Sequence, residues 1–117
     1  MSWGGSQPGE PLLFVKMDIS ELTQRMHEFV QSKGWYAADS KRPQTARNLS
    51  ASLVLEAAEI LEQFQWNDDF DKSELESELA DVALYLLQLA SISEIDLEKA
   101  ILKKLDINAS RTWDVDK

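Results

Sequence analysis

Hydrophobic residues recur along this chain at helical spacing, and four stretches carry the pattern. Ile19, Leu22, Met26, Phe29 and Val30 share one face of a segment that opens at Asp18 and closes at Gly34. Glu21, three residues after Asp18, gives that start a capping-box pattern. The second segment runs from about Ala46 to Trp66, with Leu49, Leu53, Ala57, Ile60, Leu61 and Phe64 in one arc. A third opens at Ser73, with Glu76 as its box partner, and continues to about Ser91. A fourth opens at Asp96 and runs to about Arg111. Between the first two the chain turns polar, from Trp35 to Thr45, and contains Pro43; this predicts a loop. "NDDFDK" is an acidic, turn-rich break. No alternating strand pattern interrupts the series, so the expected fold is all-α, a four-helix bundle. "MSWGGSQPGEP" has no period and is rich in Gly, Pro and Ser. Residues 1–17 are therefore expected to form a flexible tail, with Met17 offering a second start, and residues 18–117 one domain.

The third segment is apolar over more than half its circumference: Leu75, Leu79, Val82, Ala83, Leu84, Leu86, Leu87, Leu89 and Ala90. Such a helix is expected to be central, covered by its own chain or by another subunit. Three neighbours in a small domain do not suffice, so a homo-oligomer is expected, a dimer at least and a tetramer plausibly. Only a narrow stripe is polar: Glu74, Glu78, Asp81, Tyr85 and Gln88.

Acidic residues stand where these helices have apolar surface to bury. Glu56 and Glu59 border the apolar arc of the second segment, and Glu78 and Asp81 border that of the third. Carboxylates one turn apart, roughly 5–6 Å, repel by about 3 kcal/mol at an effective dielectric near 20. Acids that merely flank a core and reach water explain Glu62, Glu74 and Glu76. Two acidic pairs on two apolar helices are harder to explain that way. Antiparallel packing would let the four carboxylates converge on a cation. Oxygen ligands without histidine or cysteine select Mg²⁺, with Mn²⁺ as the alternative. A ferritin-like di-iron centre would want Glu-x-x-His pairs, and neither helix has a histidine.

Composition narrows the chemistry further. The chain has no cysteine and a single histidine, His27. That excludes disulfides, thiolate zinc sites, a cysteine nucleophile and multi-histidine metal sites. Of 117 residues, 21 are acidic and 12 basic, for a net charge of −9. Such a surface disfavours nucleic-acid polymers and anionic membranes. It permits a small anionic ligand if a cation lies between. The apolar run Leu12–Val15 is too short for a signal-peptide core or a membrane span, so a cytoplasmic location is expected. In the fourth segment Lys104, Asn108 and Arg111 fall at i, i+4 and i+7, a spacing suited to clamping phosphate oxygens or simply to a solvated face.

"LEAAEILEQFQW", "ELADVALYLL" and "KLDIN" together resemble the MazG-like nucleotide pyrophosphohydrolases, and most closely their short dCTP pyrophosphatase type. The family's Glu-x-x-Glu and Glu-x-x-Asp motifs read here as Glu56, Glu59, Glu78 and Asp81, and the resemblance spans roughly Asp18 to Arg111. It implies a MazG-like bundle, assembled as a homodimer or homotetramer. It also implies an Mg²⁺-dependent hydrolase that splits the α–β bond of a (deoxy)nucleoside triphosphate, dCTP or a related dNTP; nucleotide pool cleansing is the expected role. The four carboxylates would carry metal and catalysis. His27, Trp35, Trp66 and Tyr85 would line the nucleotide pocket, and Lys104 and Asn108 would contact substrate. Two rivals share the sequence evidence: an all-α dUTPase-like enzyme and a non-catalytic, metal-binding helical interaction module.

Overall fold

The computed structural model of the protein describes residues 16–112. The tail expected over residues 1–17 falls, up to residue 15, outside the described residues. Four helices follow in order: α1 Ile19–Ser32, α2 Ala46–Glu62, α3 Lys72–Ile92 and α4 Leu97–Ala109. The expected all-α, four-helix architecture is what the chain forms.

Each helix starts where a side-chain oxygen can take an orphaned backbone N–H. Asp18 accepts from the Glu21 amide at 2.8 Å while Glu21 returns a bond to the Asp18 amide at 3.2 Å, the expected capping box. Thr45 caps α2 and Asp96 caps α4. The start of α3 differs from expectation. Asp71, not Ser73, is the cap: its Oδ1 accepts from the Ser73 amide and hydroxyl and from the Glu74 amide. Asp is as strong a cap as Ser and stands two residues earlier, so Glu76 is not a box partner.

The helix ends explain two further differences. The second helix was expected to reach Trp66 but stops at Glu62. Beyond it Phe64 and Gln65 bond back only three residues, to Leu61 and Glu62, so the chain tightens and leaves the α-helical register. Phe64 then packs on Phe70, ring centroids 5.7 Å apart, across the turn. Trp66 is thereby off the helix. Similarly α4 ends at Ala109, so Arg111 is beyond the helical face of Lys104 and Asn108.

Two ends close with the same device. After α1, Gly34 at φ +74° donates to Gln31 and Trp35 donates to Val30. After α3, Glu94 at φ +58° donates to Ser91 and Ile95 donates to Ala90. Both are Schellman motifs, which need a left-handed residue. Gly34 meets that need without strain, whereas Glu94 does not.

The hub is α3. It packs extensively along α2, less along α1, and touches α4 at few points. The buried apolar core is small: Met26, Val30, Leu49, Leu87 and Ala90. Leu61, expected in the core arc of α2, is exposed, as are Val54 and Leu55 on α2, Leu79 and Leu86 on α3, and Leu102 and Leu105 on α4. Helix α4 has no buried residue. The radius of gyration is 17.1 Å, against about 13 Å for a compact domain of this length. No helix among the described residues is long and apolar enough to cross a membrane.

Relief of the left-handed strain at Glu94 is a direct test of the α3 end. Glu94→Gly is expected to stabilise the fold by about 0.5–1 kcal/mol, a rise of a few degrees in a thermal melt.

A carboxylate centre beside a cavity

The packing of α3 on α2 sets two acidic pairs against each other. Glu56 and Glu59 sit one turn apart on α2, and Glu78 and Asp81 one turn apart on α3. Glu56, Glu59 and Glu78 each bring a carboxylate oxygen within 4.8 Å of the others. Asp81 stands beside this triplet, close enough for its charge to act on both Glu56 and Glu78. Glu56, Glu78 and Asp81 are half-buried and Glu59 is exposed.

Such crowding leaves an electrostatic signature. The Glu56 carboxyl is pushed up to about 7, first by the hydrogen bond it shares with Glu59, then by burial, then by the charges of Glu59, Asp81 and Glu78. Glu78 is also raised, chiefly by burial and then by the charge of Glu59. Its Oε2 is buried and has no hydrogen-bond partner. A buried carboxylate oxygen without a donor is costly unless a cation meets it. The donor set is all oxygen, multiply charged and drawn from two helices, which fits a hard divalent ion such as Mg²⁺ or Mn²⁺.

Next to the carboxylates a cavity of about 710 Å³ opens between α1, the 35–45 loop, α2 and α3. Glu56 and Asp81 line it, so carboxylate centre and cavity are continuous. Four of its lining residues, Met26, Val30, Leu49 and Gln88, are buried. Trp35 and Tyr85, both expected at a nucleotide pocket, are on its walls. Trp35 meets Phe29 edge-on at 5.8 Å, and the Arg42 guanidinium lies 5.4 Å from the Trp35 ring centroid.

The other expected substrate-binding residues are elsewhere in this chain. His27 does not line the cavity. Its Nδ1 pairs with the Tyr36 hydroxyl at 2.6 Å and its Nε2 with the Ser91 hydroxyl at 2.7 Å. Burial lowers its pKa, which favours the neutral ring, and the ring ties the loop to α1 and α3. Trp66 is 86% exposed and borders a separate cavity with Asn67, Asp69 and Phe70. Lys104 and Asn108, on α4, are also absent from the lining of the main cavity.

The sequence did not single out the polar loop residues that wall the cavity, Lys41, Arg42 and Gln44, nor Asn48 and Gln88. Gln88 was legible as the last member of the α3 polar stripe, one turn beyond Tyr85. The loop had no periodicity to read.

An all-α bundle whose oxygen-rich carboxylate cluster, able to hold a cation, borders a cavity defines the class in outline, and comparison narrows it. Residues 44–112 match the MazG nucleotide pyrophosphohydrolase domain. The chain is 35% identical to human dCTP pyrophosphatase 1, covering 92% of this chain and 68% of that protein. It is 32% identical to the mouse protein of the same name, covering 91% of this chain and 66% of that one. It thus spans about two thirds of the length of these curated relatives. The crystal structure of a pyrophosphatase from Archaeoglobus fulgidus superposes with a TM-score of 0.66 at 35% identity, over 80% of this chain and 91% of that one. The chain belongs to the MazG nucleotide pyrophosphohydrolase domain family, hydrolases that act on nucleotide pyrophosphate bonds.

The raised Glu56 carboxyl gives a pH test. Its ordinary value is 4.5 and its folded value about 7. Between the two the folded chain holds more proton than the unfolded chain, so stability is lost as pH rises through that window and is level above it. In chelator, the melting temperature is expected to fall by a few degrees from pH 5 to pH 8, and Glu56→Gln to flatten that slope. Mg²⁺ or Mn²⁺ is expected to raise the pH 8 value most, by binding the folded state.

Proposed function

We propose that this protein hydrolyses nucleoside triphosphates at the α–β phosphoanhydride bond, releasing a nucleoside monophosphate and pyrophosphate. Preferred substrates are dCTP or related deoxynucleotides, and the cellular role is cleansing of the nucleotide pool. The observation that carries this reading is the convergence of Glu56, Glu59 and Glu78 within 4.8 Å, beside a cavity of about 710 Å³, in a chain of this family. The name dCTP pyrophosphatase, borne by its relatives, supports the choice of substrate.

Glu56, Glu59, Glu78 and Asp81 are the residues that would hold Mg²⁺, or Mn²⁺ in its place. The bound ion would supply a counter-charge for the phosphates and a more acidic water. The chain's own groups do the rest. One carboxylate of the cluster accepts the proton of the attacking water. Trp35 and Tyr85 form walls against which a base can lie flat. Lys41 and Arg42, on the loop at the same cavity, are placed to meet phosphate charge. His27 acts indirectly, by holding Tyr36 and so the loop.

Trp66, Lys104 and Asn108 join the substrate only across subunits, in a homodimer or homotetramer. The exposed apolar residues of α2, α3 and α4 support that assembly, because a single chain leaves them in water.

A panel of ribo- and deoxynucleoside triphosphates with Mg²⁺, scored for pyrophosphate, tests the reading. Monophosphate and pyrophosphate in equal amounts are expected, with dCTP among the best substrates. Inorganic phosphate and a diphosphate would overturn the bond assignment. Binding of Mg²⁺ with no turnover would instead favour a structural cation site, and strong selectivity for dUTP a dUTPase-like enzyme.

Glu59→Gln and Asp81→Asn are each expected to abolish turnover while the chain stays folded. Each removes a ligand and one charge from a repelling group, so metal-free thermal stability should be unchanged or higher. A near wild-type rate at saturating Mg²⁺ in either variant would refute the assignment.

A further inference from the structure

Gln88 is the one buried polar side chain found among the described residues, 3% exposed. It is a buried part of the cavity wall, one turn beyond Tyr85 on α3. An amide presents donors on nitrogen and acceptors on oxygen, and its partners decide which end faces where.

Here a chain of bonds decides it. The backbone carbonyl of Arg42 can only accept, so Gln44 turns its Nε2 toward it, 2.6 Å away. That leaves Gln44 Oε1 to accept from Gln88 Nε2, at 2.8 Å. The Gln88 Nε2 also donates to the Tyr36 hydroxyl, at 3.2 Å. Reversing the Gln88 amide would set two carbonyl oxygens 2.8 Å apart, an arrangement with no proton between them. Both donors of Gln88 are committed, while its Oε1 accepts no hydrogen bond from the described residues. The atom that Gln88 has left to offer a ligand is thus an acceptor of fixed orientation.

We infer that Gln88 Oε1 is the specificity-determining atom for the base: it accepts from an exocyclic amino group, as on cytosine, and rejects the carbonyl that uracil and thymine carry there. The inference rests on the reading above, that a nucleotide's base enters this cavity. The exocyclic substituent projects furthest from the ring, so it is the part of a base that can reach the buried wall at Gln88. An amino group there makes a hydrogen bond with Oε1. A carbonyl there sets acceptor against acceptor and leaves both buried and unpaired, which is how a polar site rejects a near-isostere. Gln44 is a positioning residue. It touches no base in this scheme, but without it the Gln88 amide is free to turn over.

The test compares kcat/KM for dCTP and dUTP, with Mg²⁺, in the full chain and in Gln88→Met and Gln44→Met. Binding of dCMP and dUMP is measured by calorimetry alongside, and each variant is melted. The wild type is expected to favour the cytosine nucleotide in both assays. Each variant is expected to lower the cytosine-to-uracil ratio, by roughly tenfold in Gln88→Met. A merely structural role would depress both substrates together and leave the ratio alone. An unchanged ratio in Gln88→Met overturns the inference, as does a wild type indifferent to the two bases, while nucleotide hydrolysis still stands. If Gln88→Met fails to fold, Gln44→Met decides in the same way. No turnover of any triphosphate and no binding of dCMP would instead overturn the reading of the site, and this inference with it.

Discussion

Mutual repulsion among carboxylates is the constraint around which this molecule is arranged. Glu56 and Glu59 on one helix face Glu78 and Asp81 on another, and the packing of α3 on α2 prevents them from separating. One consequence is that the Glu56 carboxyl is pushed up to about 7 by its hydrogen bond with Glu59, by burial and by its acidic neighbours. The most extensive helix pairing in the fold, α2 on α3, is also the one that concentrates this charge, so the fold's main packing and its worst electrostatics share one interface. A cation held there would turn the second from a cost into a binding site. On the proposed reading, an acidic protein could then take an anionic substrate, since the cation would supply the counter-charge for the phosphates.

The remainder of the architecture serves that interface from outside. Helix α1 closes one side of the cavity, and the 35–45 loop is held over it by polar bonds together with the edge-on packing of Trp35 against Phe29. His27 grips Tyr36, Gln88 grips both Tyr36 and Gln44, and Gln44 grips the Arg42 backbone. Such a connected network keeps a loop in one conformation only while every member is present. Helix α4 contributes little to the single chain, and its Leu102 and Leu105 remain in water. Its sequence is nonetheless part of the matched family domain.

Much of this was legible in the sequence because it depends on local rules. Helical periodicity and caps marked out four helices, and the i, i+3 spacing of the acidic pairs placed them beside the core. What was not legible depends on competition between neighbouring options. Asp71 captured the start of α3 from Ser73. A tightened turn after Glu62 took Trp66 off the helix. The girth of α3 was read correctly as apolar, yet burial in the single chain reaches only Leu87, Gln88 and Ala90 on that helix. The loop was the least readable element: its role comes from bonds between residues 44 and 52 positions apart, to which no local pattern points.

The claim that carboxylates from α2 and α3 form a divalent-cation centre is open to direct observation. Crystals grown with Mn²⁺ can be measured at a wavelength where manganese scatters anomalously. The account predicts a peak among Glu56, Glu59 and Glu78, with Asp81 at its edge, that disappears in Glu59→Gln crystals. No peak there at saturating Mn²⁺, or a peak only at the surface acids around Asp69 and Asp71, would contradict it.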